Sequence, residues 1–136
     1  MGRRPGLFFV AAAVLVVACA DRVPDQDLRI LSAAPTARMS ADILWKEYQA
    51  DLVRADRAYQ GKAIVVSGTA TKIGTDAPGE RYVLFGQSAD RGVRANLLDE
   101  SAADILSNVP DNRRFTLKCY GDGLHGDVLL KSCVRP

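Results

Sequence analysis

Residues that carry chemistry are scarce in this 136-residue chain. The single histidine, His125, sits in a Gly- and Asp-rich stretch with no evident partner for acid–base work, and Cys119, His125 and Cys133 lack zinc-ligand spacing. There is no G-x-S-x-G elbow and no H-E-x-x-H, and Gly74-Thr75-Asp76-Ala77-Pro78-Gly79 lacks the lysine of a phosphate-binding loop. These absences argue against an enzyme, a bound metal or a cofactor. Excess charge is missing too. The formal net charge is +2, from 18 Lys plus Arg against 16 Asp plus Glu. Setting aside Arg3 and Arg4, the chain from Cys19 onward has 16 of each, so the balance is zero. A neutral chain lacks the overall positive field with which most nucleic-acid binders meet phosphates, although a local patch remains compatible with it.

No apolar run reaches the ~20 residues that a membrane-spanning helix needs. The run from Leu7 to Ala18 has 12 residues, with Arg3 and Arg4 before it and small residues at its end, the layout of a secretory signal. Val16-Val17-Ala18-Cys19 resembles a bacterial lipobox, which would make Cys19 the lipidated first residue of the mature protein; the alternatives are ordinary signal cleavage, which Ala18-Cys19-Ala20 also fits, and an uncleaved anchor. The expectation is a signal peptide over 1–18 and an exported lipoprotein anchored at Cys19, facing the periplasm or another extracytoplasmic space. Residues 19–39 mix Asp, Arg, Pro24, Pro35, Ser and Ala without sustained periodicity and read as a tether, with Leu28, Ile30 and Leu31 able to dock on the domain.

Beyond the tether the pattern is ordered, and residues 40–136 are expected to form one domain. Ser40 reads as an N-cap and Asp42 as a first-turn acid, opening a helix from Ala41 to about Ala50. Leu44, Tyr48 and Leu52 fall at i, i+4 and i+8, and Gly61 closes the helical region. Alternation then begins: Ile64, Val66, Gly68 and Ala70 share one face, and Ile73 breaks the parity, which requires a bend near Thr71. Further strands are expected at 81–85, 92–97, 113–120 and 128–134, with a short helix at 99–106 and a glycine-rich turn at 121–127. This order predicts a five-stranded OB-fold β-barrel, with an N-terminal helix and a short helix between strands 3 and 4. Gly68 would lie on the inner side of a sharply curved first strand.

Leu44-Trp45-Lys46-Glu47-Tyr48, Ala58-Tyr59-Gln60-Gly61-Lys62 leading into Ile64-Val65-Val66-Ser67-Gly68, and Gly121-Asp122-Gly123 through Val128 to Cys133 together resemble the tRNA_anti-like family. The resemblance covers about Ser40 to Val134 and implies an OB-fold domain of the kind found in small exported or lipid-anchored bacterial proteins. It supplies no catalytic residue, and likeness of fold does not carry function.

In an oxidising compartment Cys119 and Cys133, on neighbouring strands, are expected to pair as a disulfide, the alternatives being two buried thiols or a metal site. Cys119 shares parity with Phe115 and Leu117 while Cys133 is out of step with Val128 and Leu130, so pairing requires a bulge or an uneven turn. OB barrels bind partners on the face of strands 2 and 3, where this chain places Arg81, Tyr82, Phe85, Arg94 and Asn96. The expected function is a non-catalytic binding module of the cell envelope. It would be held to a membrane through its N-terminal lipid and recognise an envelope protein, peptide or glycan. The alternative is a single-stranded nucleic-acid binder, in which Arg81, Arg91, Arg94, Arg113 and Arg114 would track phosphates and Tyr82 or Phe85 would stack.

Overall fold

In the computed structural model, residues 26–77 and 79–136 are described, together with Gly2 and Gly6. Cys19 and the leader lie outside them, so the lipidation expectation is not addressed by the fold. Among the described residues no helix is long and apolar enough to cross a membrane.

Ser40 caps α1 (Ala41–Ala50) by accepting a hydrogen bond from the Ile43 N–H at 3.2 Å. Asp51 ends α1 and starts α2 (Leu52–Tyr59), its carboxylate accepting from the Arg54 N–H at 3.1 Å. That break resets the helical phase. Leu44 and Tyr48 are buried as expected, but Leu52 is 45% exposed, and α2 buries Ala55 instead. Gly61, at φ +73°, turns the chain into the sheet.

Among the described residues seven strands form a single mixed sheet: β1 (Ala37–Ser40), β2 (Ala63–Thr69), β3 (Lys72–Thr75), β4 (Arg81–Ser88), β5 (Arg91–Leu97), β6 (Arg114–His125) and β7 (Asp127–Val134). The spatial order is β1-β2-β6-β7-β5-β4-β3, with β1–β2 and β5–β7 parallel and the other pairs antiparallel. A third helix, α3 (Asp99–Ser107), joins β5 to β6. Two of the seven strands were not foreseen. The expected first strand is divided at Ala70 and Thr71 into β2 and β3, and β1 adds a parallel edge.

The division has a physical reason. Ala70 N–H donates to Arg113 O at 2.8 Å, and the next residue, Thr71, donates to Leu84 O at 2.8 Å. Consecutive amides thus bond just before the start of β6 and to β4, strands that are not neighbours in the sheet, so the chain bends where it changes partner. Ile64, Val66, Val83, Phe85, Val93, Ala95, Leu97, Phe115, Leu117 and Leu130 pack into one core, capped by Leu44 and Tyr48 of α1.

The stretch expected to be a tether is folded where it is described. A 3-10 turn at Leu28–Leu31 buries Ile30 completely, against Ala63, Leu98 and Val134. Gln26 Nε2 donates to Leu97 O at 3.4 Å while its Oε1 accepts from Asp99 N–H at 2.6 Å. Asp27 N–H donates to Ser132 Oγ at 2.8 Å, and Lys118 Nζ donates to Ala33 O at 3.0 Å. One buried isoleucine and these ordered polar contacts offset the entropy cost that composition alone suggested would leave the segment loose.

Cys119 and Cys133 are disulfide-bonded, with Cα atoms 4.2 Å apart. The parity problem is solved by a bulge: Lys118 pairs with Val134 and Tyr120 with Lys131, so one residue opposes two, and Ser132 takes φ +54° to absorb the extra one. The glycine-rich 121–127 segment is not the wide turn expected. β6 runs through it to His125 and the reversal occurs at Gly126, because a second bulge between Gly121 and Leu124, with Gly123 at φ +81°, keeps the strands paired.

Candidate functional site

The strand register sorts the five sequence-nominated ligand residues. Tyr82 pairs with Asn96 and Leu84 with Arg94, so these four stand on one face of the β4–β5 ladder. Phe85 shares the parity of Val83 and is 1% exposed. It is a core residue and offers no surface for stacking, which corrects the sequence reading; the continuous apolar run Tyr82-Val83-Leu84-Phe85 left its facing ambiguous. Arg81 has the same parity as Phe85, and from the strand end its guanidinium reaches Asp99, 3.4 Å from the carbonyl and 3.6 Å from a carboxylate oxygen.

Tyr82, Arg94 and Asn96 do meet. The Arg94 guanidinium lies over the Tyr82 ring, 4.0 Å from its centroid, in cation–π geometry. Arg94 Nε donates to Asn96 Oδ1 at 3.1 Å, and Nη2 pairs with Asp76 Oδ2. Asp76 is held for that role by its turn, its Oδ1 accepting from the Glu80 N–H at 3.1 Å. Gly74 leaves room for the Tyr82 ring: a Cβ there would fall 2.7 Å from the Tyr82 hydroxyl. Asp76 escaped the sequence reading, because an Asp opening a turn carries no signal of a partner 18 residues away. The charge of Arg94 is therefore satisfied within the fold, and so, more loosely, is that of Arg81.

A second polar group lies where α2 folds back on α1. The Tyr48 and Tyr59 rings stand 6.5 Å apart, and the Tyr59 hydroxyl donates to Glu47. A cleft of about 360 Å³ opens beside them, lined by Glu47, Asp51, Arg54, Ala55 and Tyr59 among others. Burial, then the hydrogen bond to Glu47, push the Tyr59 phenol up to about 12. Tyr48 is raised further, by burial first and Asp56 second. Its hydroxyl and Asp56 Oδ1 are both buried without a hydrogen bond of standard geometry. His125 is exposed at the end of β6 and lies in no such group. Among the described residues no cluster of His, Cys, Asp or Glu is suited to hold a metal ion.

Residues 4–134 match the profile of the family described as tRNA_anti-like. A solved structure from Klebsiella pneumoniae subsp. pneumoniae MGH 78578, a lipoprotein provisionally designated nucleic acid-binding, has a similar fold at a TM-score of 0.55 and 16% identity, the match covering 79% of this chain and 94% of that one. Comparison with curated proteins finds no match.

Proposed function

The chain belongs to the tRNA_anti-like family, and from that premise we propose that it is a non-catalytic OB-type binding module of the cell envelope, anchored by lipid at Cys19. The OB reading is supported by the strand order. The sheet itself is open, not the closed five-stranded barrel expected, but with β2 and β3 counted as two halves of one bent strand the order β2-β6-β7-β5-β4-β3 begins and ends on that strand, as an OB barrel with β1 as an added edge would. The Cys119–Cys133 disulfide supports an oxidising compartment, and the lipoprotein designation of the Klebsiella neighbour is consistent with an anchor.

The observation that carries the binding reading is the Arg94–Tyr82 stack. A half-buried guanidinium fixed on an aromatic ring by Asn96 and Asp76 is a preorganised surface, and it lies on the β4–β5 face where OB barrels take ligands. An envelope peptide, glycan or protein is the ligand class this surface suits. The neighbour's designation favours a second reading, single-stranded nucleic acid. Against it, Arg94 and Arg81 are already paired with carboxylates, and Phe85 is inside the core.

The test is the state of the mature chain in its own envelope, read by mass spectrometry, with anisotropy of a labelled single strand beside it. A chain acylated at Cys19 that leaves the strand free supports the module. An unprocessed cytoplasmic chain that binds the strand at nanomolar concentration reverses the assignment.

A further inference from the structure

The 3-10 turn Leu28–Leu31 leaves two leucines in solvent. Leu28 is 53% exposed and Leu31 55% exposed, while Ile30 between them is wholly buried. In a 3-10 helix residues i and i+3 eclipse, so the two leucines stand together on one side of the turn. The flanking charges cancel: Arg29 Nη2 lies 2.8 Å from Asp27 Oδ2. The turn presents a small apolar tip beside a paired Asp27 and Arg29, with Lys131 lining the adjoining cleft. It is also rigidly seated, through Ile30, the Asp27–Ser132 hydrogen bond and the two Gln26 hydrogen bonds at the β5–α3 junction.

We propose that this tip is a membrane-contact surface, and that Leu28 and Leu31 insert into the lipid interface and fix which end of the domain faces the bilayer. The inference rests on the lipid-anchor reading of Cys19. Leu28 follows Cys19 by nine residues, a reach of at most ~32 Å when fully extended, so an acylated Cys19 keeps the turn within that distance of the lipid surface. The other exposed apolar side chains, Ile43, Leu52, Val53 and Val109, come later in the chain, and no such short leash bears on them directly. The Gln26 contacts lie at Leu97 and Asp99, next to Asn96. The Tyr82–Asn96 end of the ligand face is therefore the end turned toward the membrane.

The test uses the full chain, processed in a bacterial envelope and reconstituted into phosphatidylcholine/phosphatidylglycerol vesicles with or without acyl-chain-brominated lipid. Leu28→Trp, Leu31→Trp and Val53→Trp are each placed in a Trp45→Phe background. Loss of emission on bromination for the first two, with Val53→Trp unchanged, is the expected result. Equal loss at all three positions, or none at Leu28 and Leu31, overturns the orientation. A blue-shifted but unquenched signal at Leu28 or Leu31 also overturns it, as burial against a second copy. Mass spectrometry of the same samples separates the premises: acylated Cys19 without quenching defeats the contact surface alone, whereas unmodified Cys19 defeats the anchor and this inference together.

Discussion

A methyl group built on Gly68 would stand 2.9 Å from Cδ1 of Phe85, nearer than side chains tolerate. Gly68 pairs with Phe115 on β6, while Phe85 belongs to β4, so the glycine lies where strands from distant positions in the sheet order converge on one core. Ala41 of α1 closes the same spot, 3.2 Å from that position.

Gly68→Val should therefore destabilise the domain by ~1–3 kcal/mol, because the core must shift an aromatic ring to admit it. Urea denaturation followed by Trp45 fluorescence measures the change. A variant as stable as the parent would mean that the β2–β4 convergence is looser than described.

The Cys119–Cys133 bond spans a sequence separation of 14 and staples β6 to β7 across a bulge. Replacing both cysteines by serine should cost about 3 kcal/mol in the chain-entropy account. Both sulfurs are buried, and the serine hydroxyls would lack partners, which adds to the loss. Thiol titration of the denatured, unreduced protein should find neither cysteine free.

Tyr59 links stability to alkaline pH. Its folded pKa is raised from 10.0 to about 12, so the folded state holds the proton more tightly than the unfolded chain does. Its contribution is complete below pH 10 and is lost as pH rises through 12. Tyr59→Phe should flatten the stability profile in that window, and phenolate absorbance should lose a late-titrating group. An unchanged alkaline profile would remove Tyr59 from the linkage.

Much of this arrangement was legible in the chain. Ser40 as cap, the parity break near Thr71 and the bulge demanded by Cys133 all follow from local chemistry or from period-2 alternation, and each is present. What was not legible depends on distant partners. The composition of the Leu28–Leu31 segment reads as linker able to dock; that Ile30 alone is buried, against Ala63, Leu98 and Val134, with Asp27 bonded to Ser132, depends on partners far away in sequence. A single helical phase puts Leu52 on the buried stripe with Leu44 and Tyr48, but Asp51 caps α2 and resets the phase, so Leu52 faces solvent. On the β4–β5 ladder the strand assignment brings Tyr82, Arg94 and Asn96 together, but nothing local in the sequence reveals that Asp76 pairs with the arginine.

That last contact decides the most exposed prediction, on nucleic acid. A single-strand binder needs unpaired cations along a groove and open rings for stacking. Here, of the five arginines named for phosphates, Arg94 is held by Asp76 and Arg81 lies against Asp99, while Arg91, Arg113 and Arg114 are exposed, and Phe85 is sealed in the core. From Gly61 to Pro136 there are 10 basic and 9 acidic residues, so the domain is close to neutral. The full chain should bind a labelled single strand no more tightly than about 10 μM at physiological salt, the non-specific level. Asp76→Asn should improve that binding by freeing Arg94 and steepen the salt dependence by about 0.7, the slope of one added phosphate contact on a single strand. Anisotropy titrations at several salt concentrations measure both. If the parent already binds at nanomolar concentration and loses binding when Arg81 and Arg94 become Ala, the intramolecular pairs do not silence the arginines, and the nucleic-acid reading takes precedence.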